Sequence, residues 1–284
     1  MSDWLTKNKL RVSLYGLAVL NILVWSFYFS LPDGKLHLKV YDIGQGDAIF
    51  VETAGGYKVL IDGGPDNKVL DHLGKDVPFY SRKIDLLVLT HPQSDHVTGL
   101  VEVIKRYQIN HLWINGMAVE SRVSKEWDKI INEKGLNTRV VRQGDRMVFP
   151  DKTEFKVLWP LQGVVNSDPN AHSIVLHLVF GQFDAYLTGD ADAQVQPYTV
   201  NPGHIEFFKV PHHGGKGALR EDYVAALSPQ VSVISVGSKN PYGHPRGEVL
   251  DILAKTGSKV YRTDKWGTVE IVSDGNSWYT NSQR

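Results

Sequence analysis

Leu86-Leu87-Val88-Leu89-Thr90-His91-Pro92-Gln93-Ser94-Asp95-His96 is the stretch from which the rest of this chain can be read. Its apolar opening has the character of a buried strand. The run then ends abruptly in two histidines and an aspartate within six residues. Strand ends opening into loops are where α/β folds place their chemistry, because a rigid scaffold there holds accessible side chains. Imidazole and carboxylate groups this close together offer nitrogen and oxygen donors to a divalent cation of the zinc or manganese kind. For this stretch taken alone, a polar loop whose histidines cap the next helix is the plainer alternative.

Four more apolar runs end in the same way. Val59-Leu60-Ile61 runs into Asp62-Gly63-Gly64, and Tyr186-Leu187-Thr188 into Gly189-Asp190. Phe207-Phe208-Lys209-Val210-Pro211 runs into His212-His213-Gly214-Gly215. Val236 is followed by Gly237-Ser238-Lys239-Asn240-Pro241-Tyr242-Gly243-His244-Pro245. Glycine beside these polar groups permits tight turns and close approach of the backbone to an ion or substrate. Any one of these ends could be a solvated turn. Together, the five point to one shared site.

Composition narrows the chemistry. With 284 residues, 42% of them hydrophobic, the chain can bury a full core. A formal net charge of zero gives no global argument for a polyanionic partner, and leaves a local basic groove open. The absence of cysteine excludes disulfides, thiolate metal sites and cysteine nucleophiles. Any metal must therefore be held by His, Asp, Glu or neutral oxygen donors.

Val12 to Leu31 is twenty residues without a charge. At 1.5 Å per residue a helix of that length matches a hydrocarbon core of about 30 Å. Lys7, Lys9 and Arg11 precede it, so the positive-inside rule places residues 1–11 in the cytoplasm and the rest across the membrane. Bulky Ser26-Phe27-Tyr28-Phe29-Ser30 favours an uncleaved signal anchor over a cleavage site. Trp25, Tyr28 and Phe29 suit an interfacial belt, and equally suit ordinary span positions.

After the span, periodicity predicts an antiparallel meander over Leu36–Tyr41, Ala48–Thr53 and Tyr57–Ile61. Further strands are expected at His111–Ile114, Arg139–Arg142, Thr153–Trp159, Ser173–Phe180, Asp184–Thr188, Ile205–Val210, Val231–Val236, Lys259–Arg262 and Gly267–Val272. Helices are expected at Val97–Arg106, Ser121–Lys134, Leu219–Leu227 and Gly247–Thr256. Strands followed by alternation, repeated in each half, suggest two mixed sheets face to face with helices outside, in one domain over 35–284.

These motifs resemble the metallo-β-lactamase superfamily over nearly everything after the span. Tyr41-Asp42-Ile43-Gly44-Gln45-Gly46-Asp47-Ala48, Leu187-Thr188-Gly189-Asp190, Val210-Pro211-His212-His213-Gly214, Asn240-Pro241-Tyr242-Gly243-His244-Pro245 and Arg262-Thr263-Asp264 are similar to the C-terminal hydrolase domain of ComEC-type competence proteins. The resemblance implies a four-layer αβ/βα sandwich with a metal site at one edge, holding one or two ions of zinc or manganese. His91, Asp95 and His96 match the family's metal motif, Asp190 the carboxylate that often bridges two ions, and His244 a late histidine ligand. Asp62 matches an aspartate that supports the site from behind. Asp95, His96, Asp190 and His244 would form one ion position, and His91 would anchor the second.

Gln93 stands where many members carry histidine and ComEC-like ones aspartate, so the His91 position is expected to be weaker or sometimes empty. Asn170-Ala171-His172-Ser173 resembles the ComEC-like Asn-x-x-Ser segment, and His172 could compensate as a ligand or stand as a surface histidine. Gly44, Gln45, Gly46 and Asp47 resemble a loop at the mouth of the site, or form a plain hairpin turn. Gly215 replaces a usual serine. His37, His111, His177 and His204 lack motif support and read as ordinary strand or loop histidines.

A bound cation pulls the pKa of its water from 15.7 toward about 7. Asp95 and Asp190 are thus candidate catalytic groups as well as ligands, with Asp190 holding the nucleophile. His212 or His213 could steady developing charge or protonate a leaving group. Lys209, Lys216, Lys239, Arg246 and Lys265 lie near motif ends and are candidates for phosphate contact or for solvated surface charge.

The reading that results is a membrane-anchored phosphodiesterase or nuclease acting on DNA outside the cytoplasmic membrane. The polytopic channel region of ComEC-type proteins is not in this sequence, so the chain is not expected to be a DNA channel by itself, and a separate DNA-uptake channel is a candidate partner. Hydrolysis of small esters, lactones or β-lactams is the alternative. A catalytically inactive surface-binding domain, with Gln93 marking decay, is a third. Oligomeric state is left open.

Overall fold

A computed structural model describes residues 8–29, 31–164, 166–199 and 203–284, so Lys7 and most of the expected cytoplasmic segment lie outside the described residues. The chain divides into two units, residues 1–33 and 34–284. In the first, helix α1 (Lys9–Phe29) is long and apolar enough to cross a membrane. Its Leu14, Leu17, Ile22 and Trp25 side chains are exposed, as in a helix apolar on every side. It takes in Lys9 and Arg11, ahead of the expected start at Val12. Both are good helix formers whose long stems lie along an apolar surface while the charge stays in water.

The second unit is built on the run quoted above. Strand β4 (Lys83–Leu89) is buried along almost its whole length. Leu86 and Val88 face a core between two sheets, while Leu87 and Leu89 face a second core beneath helices. Burial on both faces explains why the run is continuously apolar rather than alternating. Strands β1 (Leu36–Val40), β2 (Ile49–Glu52) and β3 (Lys58–Ile61) form the expected antiparallel meander. β3 then pairs in parallel with β4, β4 with β5 (Gln108–Ile114), and β5 with β6 (Thr138–Val140). β14 (Val269–Ser273) and β15 (Trp278–Ser282) complete the first sheet, in the order β15-β14-β1-β2-β3-β4-β5-β6.

The second sheet runs β13-β12-β11-β10-β9-β8-β7. Its strands are β7 (Arg146–Val148), β8 (Glu154–Trp159), β9 (Val175–Phe180), β10 (Phe183–Leu187), β11 (Phe207–Lys209), β12 (Val231–Ile234) and β13 (Lys259–Arg262). Helices α2 (Lys68–Asp76), α3 (Ser94–Arg106) and α4 (Arg122–Lys134) pack Leu73, Leu100 and Trp127 against the outer face of the first sheet. Helices α5 (Glu221–Leu227) and α6 (Gly247–Lys255) pack Val224 and Leu253 against that of the second. One apolar layer between the sheets and one outside each gives the four-layer αβ/βα sandwich expected from the sequence.

Four described strands and α-helices have no counterpart in the periodicity reading: α2, β7, β15 and the one-turn helix α7 (Thr263–Trp266). Each is short, and β7 and β15 are largely exposed, so their apolar signal is weak. A fifth difference bears on function. Helix α3 begins at Ser94 rather than Val97, which puts Asp95 and His96 in its first turn instead of a loop. A carboxylate is favoured there by the helix dipole.

Two glycines allow this turn to seat against the end of β3. Gly63 N donates to His96 O at 2.8 Å, and Gly99 N to Gly64 O at 3.0 Å. A methyl group on Gly99 would stand 1.9 Å from Gly63 O, a backbone atom that cannot swing aside. Gly99→Ala is therefore expected to destabilise the fold by about 1–3 kcal/mol through overpacking. Gly74→Ala, whose methyl meets nothing within 4 Å in α2, is expected to stabilise it by about 0.5–1 kcal/mol. Thermal unfolding should show opposite shifts, and shifts of the same sign would contradict this packing.

Candidate metal centre

Parallel pairing sets the catalytic edge, because neighbouring strands that run the same way end together. β3 delivers Asp62, β4 delivers Thr90 and His91, and β10 delivers Asp190. β11 delivers His212 and His213, and β12 leads to Ser235. Asp62 is fully buried, with a left-handed φ of 58° that turns its carboxylate back toward β4. It accepts hydrogen bonds from Thr90 N at 2.8 Å and Thr90 Oγ1 at 2.7 Å, and pairs with His96 Nδ1 at 2.8 Å. A proton on Nδ1 leaves the His96 Nε2 lone pair facing Asp190 Oδ2, 3.4 Å away.

His213 approaches from the second sheet. Its Nδ1–H donates to Ser235 O at 2.9 Å, leaving Nε2 at 3.4 Å from Asp95 Oδ2 and 3.5 Å from Asp190 Oδ2. Donor atoms of Asp95, His96, Asp190 and His213 thus lie within 4.8 Å of one another. His91 stands beside them, its ring centroid 4.1 Å from that of His96. The Thr90 hydroxyl donates to Asp62, so it accepts from His91 Nδ1 at 3.0 Å, with Ser173 Oγ at 3.1 Å. Ser173 Oγ also receives Asp190 N at 3.3 Å, so Ser173 supports two of the candidate groups.

The decisive sign is a set of missing bonds. His91 Nε2, His96 Nε2, His213 Nε2 and Asp190 Oδ1 are buried with no hydrogen-bond partner. Each such atom costs about 1–3 kcal/mol. Imidazole nitrogens and carboxylate oxygens left bare in one place fit a divalent cation, which would satisfy them together. Asp47, Asp62 and His96 form another close group, but Asp47 is already paired with Lys209 and Asp62 with His96. That group supports the centre rather than competing with it.

Residues 41–238 match the family described as the metallo-beta-lactamase superfamily. The chain belongs to that superfamily. It is 31% identical over 264 residues to ComE operon protein 3 of Bacillus subtilis, covering 86% of this chain and 34% of that protein. It is 28% identical over 269 residues to Recombination protein 2 of Haemophilus influenzae, covering 93% of this chain and 32% of that protein. The chain thus spans about one third of the length of these relatives. Among solved structures, Igni18, a metallo hydrolase from Ignicoccus hospitalis, aligns with a TM-score of 0.55 at 17% identity, over 82% of this chain and 98% of that one. Family membership makes the chain a metallo-β-lactamase superfamily hydrolase, and the fold implies divalent-metal binding.

Within this superfamily fold, several residues stand where the motif reading did not put them. The tight group of Asp95, His96 and Asp190 contains His213, while His244, expected to join them, contributes an Nδ1 that is also buried without a partner. His244 lies farther out, half-buried in the cleft wall, with its ring 5.9 Å from that of His212. Consecutive left-handed residues make the difference: φ of 51° at His212 and 52° at His213 send the second ring inward. The His-His-Gly doublet at a strand end was the available signal. His172 is not brought to the centre, because its Nε2 donates to Asn166 O at 2.8 Å. Asn170 does come near, with Oδ1 buried and unpartnered and Nδ2 3.5 Å from His212 Nε2.

Gln93 occupies the N-cap position of α3 without a side-chain capping bond, and it lines the cleft together with Asp95, Gly44 and Gln45. Lys209 is wholly buried and paired with Asp47, so it is unavailable to a phosphate. Lys216, Lys239, Arg246 and Lys265 are not among the cleft residues, whereas Lys68 is.

Electrostatics follow from burial and proximity. Burial lowers the His91 pKa to about 3, helped by neighbouring His96. Burial also opposes charge on His96 and His213, but Asp190 with Asp62 holds His96 well above its ordinary value. Asp190 with Asp47 raises His213 to about 9. Conversely, despite burial, His213 and His96 hold Asp190 well below the usual carboxylate range. His244 falls to about 4 through burial and the nearby His213 and His212.

A raised histidine pKa stabilises the folded state fully below its unfolded value of about 6.5, and that contribution is lost as pH rises through the folded value. Metal-free protein is therefore expected to lose stability between pH 7 and 9 as His213 deprotonates. Metal affinity should run the opposite way, rising about tenfold from pH 7 to 8 for each proton displaced. Thermal unfolding with chelator, set against metal titration at both pH values, checks the signs. A flat pair of profiles would contradict the assignment.

Proposed function

We propose that the chain is a membrane-anchored, metal-dependent phosphodiesterase that cuts DNA outside the cytoplasmic membrane. The observation that carries this reading is the cleft over the centre, about 610 Å³ in volume, with Lys68 and Tyr242 among its lining residues. Lys68 offers a cation for a phosphate, and the exposed Tyr242 ring offers a stacking face for a base. The name of a further relative, Competence protein ComA of Neisseria gonorrhoeae, places it in competence, which supports DNA as the substrate. The uncharged stretch of α1 that follows Lys9 and Arg11 supports a single span with its N-terminus cytoplasmic.

In this reading Asp95, His96, Asp190 and His213 would hold a zinc or manganese ion, which would supply Lewis-acid polarisation of a phosphoryl oxygen and a more acidic water. His91, with its unpartnered Nε2, would anchor a second, weaker position. Asp62 keeps His96 in one tautomer and one orientation. His212, beside the centre with an unpartnered Nδ1, is placed to give a proton to the leaving oxygen. Gln45 and His244 form the walls against which the substrate backbone is positioned.

The test uses the full chain in detergent with manganese and fluorescent linear DNA, single- and double-stranded. Cleavage is expected, abolished by chelator and reduced about 100-fold or more by Asp190→Ala. Spheroplasts carrying the chain should cut DNA added outside; cleavage only after lysis would reverse the orientation. Metal binding without DNA cleavage, with turnover of a chromogenic lactone or β-lactam, would move the assignment to small-ester hydrolysis. Neither metal binding nor turnover would leave a binding domain.

A further inference from the structure

A lysine lies where the alternation of β11 calls for an apolar side chain. Phe207 faces the core between the sheets and Phe208 the outer core, so Lys209 points back between the sheets. It is fully buried, as is Asp47 from the β1–β2 connection of the opposite sheet. Lys209 Nζ stands 2.8 Å from Asp47 Oδ2 and donates to Val210 O at 2.9 Å. Asp47 Oδ1 lies 3.4 Å from His213 Nδ1. Asp47 N donates to Asp95 O at 3.3 Å, and Gly46 O accepts from Ser235 Oγ at 2.6 Å. Gly46, φ 133°, permits this approach, since a methyl there would stand 2.3 Å from Asp95 O.

As a source of stability such a pair is weak, because desolvating two charges offsets most of their attraction, and apolar replacements of similar volume are often neutral. Its geometry has another use. We propose that Asp47 and Lys209 are a positioning pair for the metal centre: the Asp47 carboxylate backs His213, and the Lys209 ammonium fixes that carboxylate from the opposite sheet. This rests on His213 being a ligand. Ser235 O already takes the Nδ1 proton, so the carboxylate adds negative charge behind the ring and strengthens Nε2 as a donor. Partners of this kind change metal affinity about 10–100-fold.

The same contact holds the Gly44–Asp47 loop on Asp95, so one ion pair registers candidate ligands from both sheets. Lys209 touches no substrate in this account.

The experiment measures zinc affinity of metal-stripped full chain in detergent, by competition with a chelating dye, together with thermal unfolding of the metal-free form. Lys209→Met alone should be strongly destabilised, because Asp47 is left buried and uncompensated. The double variant Asp47→Leu/Lys209→Met should recover the stability yet bind zinc about tenfold or more weakly than wild type. In a His213→Ala background the same double replacement should cost little further affinity, as residues acting through one another do.

A merely structural pair gives a different result: stability and zinc affinity recover together in the double variant, or the loss is equal in both backgrounds. Either result overturns the pair's role while leaving the metal centre standing. Should the apolar pair fail to fold, Asp47→Asn keeps the side-chain shape, removes the charge and carries the same affinity expectation. A wild-type chain that binds no zinc overturns the centre itself and the pair's role with it.

Discussion

The carboxylate of Asp62 is the joint on which this edge of the molecule depends. Buried completely, it binds the backbone and hydroxyl of Thr90 and the ring of His96. It thereby ties the end of β3, the end of β4 and the first turn of α3 into one rigid corner. Burial pushes its pKa up, against the pull of His96 and of the hydrogen bonds from Thr90. Such a group holds its neighbours in place because leaving any of its bonds unmade would be expensive in a dry interior. The orientation of His96, the tautomer it presents and the placement of His91 through Thr90 all follow from it.

Against that rigid corner the second sheet supplies an adaptable half. Asp190 and His213 arrive from strands that share no hydrogen bond with β3 or β4, so their registration depends on contacts across the sandwich. The Asp47–Lys209 pair, the Ser235–Gly46 hydrogen bond and the bond of Ser173 to His91 are among those contacts. The centre is therefore assembled at the seam between two separately built sheets. A small slip of one sheet on the other would disperse the ligands without unfolding either. This gives a physical reason for placing charged and polar groups in a layer that packing alone would fill with apolar residues.

Much of this was legible in the sequence. Leu86–Leu89 ending in His91, the meander of the first strands and the glycine-flanked Asp62 and Asp190 were enough for the sandwich and its polar edge. The differences between the sequence reading and the structure have particular causes. Helix α3 begins before its apolar periodicity does, because its first turn is occupied by Ser94, Asp95 and His96, so periodicity alone set the start too late. His213 and His244 could not be ranked by spacing, since the paired left-handed residues that turn His213 inward have no side-chain signature beyond the following glycines. Lys209 read as a surface cation because a buried lysine is rare and its partner lies far away in the chain at Asp47. His172 had the right chemistry next to Ser173, but one peptide unit separates a ring that faces Asn166 from a hydroxyl that faces His91.

The central claim is that Asp95, His96, Asp190 and His213 hold one divalent cation. Anomalous diffraction from crystals of the full chain grown with manganese tests it most directly. The account expects a single strong peak within coordination distance of all four side chains, with any second, weaker peak beside His91. A strong peak elsewhere, or none at this position while the four side chains keep their arrangement, would contradict it.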